Sequence, residues 1–122
     1  MKATVKSHRI SYVVYPFDLF VSFHKNYSEL EKELMDILPQ DVHGEISSFN
    51  TKEKISGRTV MFSSGQTCIW FRVLSHQNIA HEVFHAVEFL MDKIDVKLSR
   101  KSDEAYAYMI GYITDEIYDV IK

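Results

Sequence analysis

The pattern of apolar and polar residues predicts a long amphipathic helix in the second half of the chain. Between residues 76 and 95 the apolar side chains fall on one face at about 100° per residue. These residues are Ile79, Val83, Phe84, Val87, Leu90, Met91 and Ile94. Ser75 precedes the segment, and serine is a favourable N-cap because its side chain accepts a hydrogen bond from a free backbone N–H of the first turn. The opposite face of this helix is polar.

Two further periodic segments predict a helix on either side of the long one. Ser28 has capping-box spacing to a glutamate and opens the first of them, about residues 29–38, which ends before a proline. Either Ser99 or Ser102 can cap the second, about residues 103–121. Its apolar stripe consists of Met109, Ile110, Ile113, Ile117 and Val120. The sequence therefore predicts three helices.

Runs of β-branched and aromatic residues predict the strands. Residues 10–15 and 19–23 form one such stretch, which we interpret as one strand or two. Residues 58–62 and 67–73 form another pair, and the polar sequence Ser-Ser-Gly-Gln at 63–66 separates them. This arrangement is typical of a β-hairpin.

The remaining segment, residues 40–54, is polar, and residues 45–49 within it are a weak strand candidate. Helices and strands in this order predict the α+β class. A chain of 122 residues, 46% of them hydrophobic, is long enough for one domain with its own core. We therefore treat residues 1–122 as a single domain.

Composition narrows the classes of function. The net charge of -3 gives no general attraction to phosphate backbones, so a nucleic-acid partner is not expected. A role on DNA stays possible but is less attractive. Cys68 is the single cysteine and lies in an apolar run, which favours a reducing, cytoplasmic setting. No window approaches the roughly 20 apolar residues of a membrane span. We expect a soluble, unprocessed protein.

The polar face of the long helix carries the sequence His-Glu-Val-Phe-His at residues 81–85. Two histidines four positions apart on a helix point the same way about one turn apart, so both imidazoles can reach one metal ion, with Glu82 beside it. A polar face that carries histidines is also the normal state of a surface helix. The pattern favours a metal site and does not by itself decide between the two.

A hydrolytic zinc site needs three protein ligands, and Glu104 is the predicted third. Eighteen residues separate it from His85, enough to finish one helix, turn, and begin an antiparallel partner. Glu104 lies on the face of its helix away from the apolar stripe, together with Gly111. Glycine inside a helix costs about 1 kcal/mol relative to alanine, so Gly111 indicates that another helix approaches this face closely. A first-turn acid favoured by the helix dipole is the alternative for Glu104.

Residues 81–85 followed by Glu104 resemble the gluzincin group of zincin metallopeptidases, whose motif is HExxH with a downstream glutamate ligand. The sequence Asp-Glu-Ala-Tyr-Ala-Tyr at 103–108 is similar to helix starts in small zincin-like proteins of phages and bacteria. The resemblance spans about residues 67–112. It implies a small antiparallel or mixed sheet packed on the HExxH helix, a C-terminal helix with the third ligand, and an edge strand beside which a peptide lies extended.

The resemblance implies a zinc-dependent peptidase. His81, His85 and Glu104 would hold Zn2+, and Glu82 would act as the general base that passes the proton of water to the leaving amine. Tyr108, one turn beyond Glu104 on the same face, is the candidate for stabilising the oxyanion.

Two alternatives stay open beside the peptidase. One is a non-catalytic zincin-like domain with a structural zinc site that acts as a binding module, and the other is a helical interaction module without metal. Glu82 favours the enzyme, because a structural site has no use for a general base. Glu88 or Asp92 could orient the imidazoles, although both are equally explained as solvated acids. The expected partner is a peptide or protein substrate, and so small a chain leaves room for a partner protein or a homo-oligomer.

Overall fold

The computed structural model describes residues 1–11, 17–51 and 53–122, and it shows helices packed on a small mixed sheet. The strands are β1 (Ser7–Ile10), β2 (Leu19–Ser22), β3 (Gly57–Met61) and β4 (Thr67–Phe71). The helices are α1 (Tyr27–Ile37), α2 (His76–Lys93) and α3 (Asp103–Asp119), and a 3₁₀ helix (Gln40–Phe49) lies between α1 and β3. The predicted α+β class is confirmed.

The sheet has the strand order β1-β2-β4-β3. β1 pairs with β2 and β3 with β4 in antiparallel fashion, whereas β2 and β4 are parallel. The predicted hairpin is therefore confirmed as β3 and β4, with Gly65 at a φ of +90° in its turn. The predicted strand at 19–23 is β2. Of the strand predicted at 10–15, Ile10 ends β1 and residues 12–15 lie outside the described part of the chain.

The strands alternate their side chains between two apolar layers. Leu19, Val21, Ile69 and Phe71 face α2 and α3, and the neighbouring Phe20, Cys68 and Trp70 face α1 and the 3₁₀ helix. Residues on β4 are buried on both faces, as expected for a strand with a layer on each side. Cys68 is fully buried there, in agreement with its apolar surroundings in the sequence. The sheet thus lies at the centre of the fold, and α2 packs against one of its faces.

The helix starts agree with the sequence in one case and differ in another. Ser75 caps α2 as predicted, since its Oγ accepts a hydrogen bond from the N–H of Asn78. The capping box predicted at Ser28 is wrong. Asn26 caps α1 by accepting from the N–H of Glu29, and Ser28 lies inside the first turn, where it donates to the Asn26 side chain.

Two further expectations are corrected. The weak strand at 45–49 is part of the 3₁₀ helix, whose buried residues Val42, Ile46 and Phe49 recur three or four apart. Within the apolar stripe of α2, Phe84 is 37% exposed, and Ile94 lies beyond the helix end. In the described ranges no helix combines the length and apolarity that crossing a membrane requires.

Candidate metal centre

The two histidines of the HEVFH sequence converge on one point above α2. Their Nε2 atoms are 3.1 Å apart, and the ring centroids are 4.7 Å apart with the planes nearly perpendicular. Two ligands of a tetrahedral zinc ion, each about 2.0–2.1 Å from the metal, stand at a similar separation. His81 is exposed, and His85 is half-buried with its ring stacked on Phe89. The i, i+4 spacing therefore produces the geometry that the sequence predicts.

Glu82 is the single buried carboxylate among the described residues, with 7% of its surface exposed. Its Oε1 accepts a hydrogen bond of 2.9 Å from the Thr59 hydroxyl, and its Oε2 lies 3.8 Å from His81 Nε2. Acids are rarely this buried unless they are paired or serve a function. The carboxylate is thus held between the edge strand and the histidine pair.

β3 forms the wall opposite α2. An open cleft of about 270 Å³ lies between the two elements. It is lined by Gly57, Arg58, Thr59, His81, Glu82, His85 and Phe89. Gly57 lies close to both neighbouring elements, because a Cβ there would be 3.0 Å from the Trp70 carbonyl oxygen of β4 and 3.4 Å from Glu82 Cγ of α2. β3 is an edge strand, so its outer backbone groups do not pair with another strand of the described sheet.

Sequence reasoning did not identify Thr59 or Gly57 as part of this site. Both lie in a strand that the sequence predicts, but their role depends on which face of β3 meets α2. The alternation of β3 places Gly57 and Thr59 on the α2 side, since Val60 packs in the other layer. No local signal in residues 57–61 distinguishes these two faces.

Glu104 does not join the histidines in the described structure. It is exposed, and no group of three His, Cys, Asp or Glu side chains in residues 1–11, 17–51 and 53–122 is arranged to hold a metal ion. The helices are antiparallel, with His76 stacked on Tyr118 and the Tyr106 hydroxyl donating to the Val96 carbonyl oxygen. The first turn of α3 thus lies beside the C-terminal end of α2, past His85.

The face of α3 that carries Glu104 is turned to solvent. A Cβ on Gly111 would meet no atom within 4 Å, so the predicted close approach of another helix at this glycine is wrong. The face that packs on α2 is the apolar stripe on the opposite side, which includes Met109 and Ile113. Tyr108 shares the exposed face of Glu104, with 73% of its surface accessible, and does not line the cleft.

Glu88 and Asp92 continue the polar face of α2 beyond His85. Both are exposed, and their charges act on Tyr106, whose pKa is raised by burial first and by these two carboxylates second. This placement agrees with solvated acids. Neither residue lines the cleft that contains the histidines.

Comparisons with known proteins found no relative of this chain. No protein-family model, no curated protein and no solved structure matches the chain. The assignment of function therefore depends on the site itself.

Proposed function

We propose that this protein is a zinc-dependent peptidase of the zincin type, with His81 and His85 as metal ligands and Glu82 as the general base. One observation carries the proposal: the single buried carboxylate of the described residues lies 3.8 Å from a histidine whose Nε2 is paired, at 3.1 Å, with that of a second histidine. A surface helix whose histidines have no function gives no reason to bury the acid between them. The small mixed sheet packed on this helix is compatible with a zincin-like fold.

Each residue of the cleft has a separate role in the proposed reaction. A zinc ion held by His81 and His85 would supply a Lewis acid for activating water and polarising a carbonyl. Glu82 would accept a proton from water and deliver it to the nitrogen of the leaving amine. Thr59 donates to one carboxylate oxygen of Glu82, which leaves the second oxygen, on the His81 side, for proton transfer. The cleft against β3 has room for an extended peptide segment.

Glu104 stays in the proposal as the third ligand because of its spacing to His85 in the sequence and the family resemblance. The geometry supports the two-histidine part and places Glu104 on the exposed face of α3. Ligation by Glu104 requires a different arrangement of the first turn of α3 against α2. The oxyanion role proposed for Tyr108 depends on the same rearrangement.

Zinc content tests the metal site. The protein is purified without added metal, and bound zinc is measured by atomic emission for the wild type, His81→Ala and His85→Ala. We expect stoichiometric zinc in the wild type and its loss in both variants. His76→Ala is the matched control, because His76 lies on the same helix outside the cleft. A wild-type protein without zinc would end the proposal.

Cleavage of a diverse peptide library separates an enzyme from a metal-binding module. Glu82→Gln keeps the shape of the side chain and removes the base, so we expect it to retain zinc and to lose cleavage by about 10²-fold or more. Zinc in both proteins with cleavage in neither would favour the non-catalytic zincin-like domain. Equal cleavage by both would contradict the role of Glu82.

Glu104→Gln and Asp103→Asn test the third ligand as a matched pair of first-turn acids. If Glu104 binds the metal, zinc is lost only from Glu104→Gln. Equal zinc content in the two variants would remove Glu104 from the site and, with it, the role of Tyr108. The two-histidine proposal would remain, and a substrate, a partner or another copy would have to supply further ligands.

A further inference from the structure

A second cavity lies at the end of the sheet where the parallel strands β2 and β4 finish. It encloses about 270 Å³. Its walls are Phe23 and Lys25 after β2, Phe71, Arg72 and Leu74 at the end of β4 and after it, and the N-terminal segment 1–6. It does not share a residue with the cleft between β3 and α2. The cavity is thus separate from the proposed metal centre.

The topology singles out this end of the sheet. After β2 the chain continues to α1 on one face, and after β4 it continues to α2 on the other face. Adjacent parallel strands whose connections leave to opposite faces open a crevice between their carboxyl ends, and such switch points are the preferred ligand sites of open α/β sheets. The cavity occupies this crevice.

The charge of the lining is one-sided. Lys2, Lys6, Lys25 and Arg72 contribute four cations, and no acid lines the cavity, although the whole chain has a net charge of -3. None of these four side chains makes an ion pair with an acid in the part of the chain that the structure describes. Lys6 also lines a neighbouring depression that contains Glu29, and Lys25 and Arg72 line another that contains Glu53.

Arg72, the N-terminal backbone and the apolar floor are held in place before any ligand arrives, whereas the side chains of Lys2, Lys6 and Lys25 are exposed. Arg72 is half-buried, and its Nε donates to the carbonyl oxygen of Ile55, which fixes the guanidinium. The N-terminal segment is attached on both sides, because Thr4 N–H donates to Val120 O and Phe23 N–H to Lys6 O. The floor is a pair of nearly parallel rings, Phe23 and Phe71, with centroids 6.1 Å apart. Preorganisation of this kind reduces the cost of binding.

We propose that this crevice binds a small organic anion, a phosphate or carboxylate joined to a flat apolar group. The guanidinium of Arg72 and the lysine ammonium groups match the acid oxygens, and Arg in particular offers a planar fork of donors. Phe23 and Leu74 are half-buried and present apolar surface to the rest of the ligand. Pockets for small molecules combine apolar walls with a few placed polar groups in this way. The proposal is independent of the peptidase function.

Amide chemical-shift titration of the whole chain tests the site with four probes. Phenyl phosphate and benzoate carry the two acid groups, benzyl alcohol is the neutral counterpart, and inorganic phosphate lacks the apolar part. We expect saturable chemical-shift changes in residues 2–6, 23–25 and 71–74 with at least one aromatic anion. The anion that binds more tightly, phenyl phosphate or benzoate, identifies the preferred acid group. Benzyl alcohol and inorganic phosphate are expected to bind more weakly.

Charge-neutral variants locate the site. Lys25→Gln combined with Arg72→Gln is expected to weaken binding of the aromatic anion by about tenfold or more. Such a change corresponds to a loss of about 1.4 kcal/mol of charge-assisted binding. Lys97→Gln combined with Lys101→Gln removes the same charge from the loop before α3 and should change nothing. If the first variant does not fold, as judged by circular dichroism, Lys2→Gln with Lys6→Gln takes its place.

Three results would overturn the proposal: no saturable shift with either aromatic anion, equal affinity in the crevice and control variants, or equal binding of benzyl alcohol. Inorganic phosphate that binds as tightly as phenyl phosphate would overturn the apolar part.

Discussion

The carboxylate of Glu82 lies among three neighbouring residues that surround it. Thr59 donates a hydrogen bond to it, Gly57 leaves the space for its side chain, and His81 stands on its open side. A general base must lie within reach of the proton that it abstracts, and small displacements are costly. These contacts fix the position of the carboxylate that we propose as the general base.

Under the proposed peptidase mechanism, Thr59→Val is expected to lower kcat while zinc content stays unchanged. The variant keeps the shape of the side chain but removes a hydrogen bond to a charged group, a loss of about 1.5–3 kcal/mol. We expect a fall in kcat of about ten- to a hundredfold. Thr59→Ser keeps the hydroxyl and should retain most of the activity, and a crystal structure of Thr59→Val should show the Glu82 carboxylate displaced. An unmoved carboxylate would contradict the positioning role.

Cys68 is expected to resist alkylation in the folded protein. Burial raises the pKa of its thiol to about 12, so the reactive thiolate is absent near pH 8. Mass spectrometry after iodoacetamide treatment should find an unlabelled native chain and a fully labelled chain in urea. Rapid labelling of the native protein at pH 8 would mean that β4 opens readily.

Single residues of the site were predictable where helix geometry alone fixes them. The i, i+4 spacing on α2 placed the two histidines and Glu82 together without knowledge of the fold. Thr59 was not predictable, because its contact with Glu82 depends on the face that β3 turns to α2. The buried position of Glu82 has the same cause, since it also depends on how β3 packs against α2.

At the scale of elements, the start of α1 depends on Asn26. Its side chain accepts from the N–H of Glu29 at 3.0 Å, and Ser28 supports it by donating to the same oxygen. Asn26→Ala should therefore lower the free energy of unfolding by about 1 kcal/mol. Ser28→Ala, the matched control in the same turn, should cost less. Urea denaturation measures both, and a larger loss in Ser28→Ala would restore the capping box that the sequence suggested.

Elements with a strong period were predicted well. α2 and the hairpin of β3 and β4 have uninterrupted patterns, and both were confirmed close to their predicted bounds. The 3₁₀ helix at 40–49 was missed because only three buried residues carry its helical period and its sequence is otherwise polar. The cap of α1 was predicted two residues too late, because Ser28 has the capping-box spacing in the sequence whereas Asn26 makes the capping hydrogen bond in the structure.

At the scale of the whole molecule, the docking of α3 on α2 decides where Glu104 lies. The helical wheel correctly separated Glu104 and Gly111 from the apolar stripe of α3. It could not show that α2 packs on that stripe and leaves the other face to solvent. Which faces of two helices meet depends on long-range packing, and one sequence without relatives contains little information about it.

Zinc should stabilise the whole fold if the proposed site is real. A ligand that binds only the folded chain adds about 2.7 kcal/mol at one hundred times its Kd, which raises Tm by on the order of 10 °C in a domain of this size. We expect this rise in wild type and its reversal by a chelator. His85→Ala should melt at the same temperature with and without zinc, whereas His76→Ala should respond like wild type. A response in His85→Ala would place the metal elsewhere.

The parallel pairing of β2 with β4 has a consequence for how the chain folds. β3 and β4 are neighbours in sequence, but Leu19 reaches Thr67 only after α1, the 3₁₀ helix and β3 have been passed. Closing so long a loop costs entropy before its contacts repay it, so we expect the hairpin to form early and β2 to dock late. Pulse-labelled hydrogen exchange should protect the amides of β3 and β4 first. Until β2 arrives, β4 offers a bare apolar edge, and crowded refolding is then prone to aggregation.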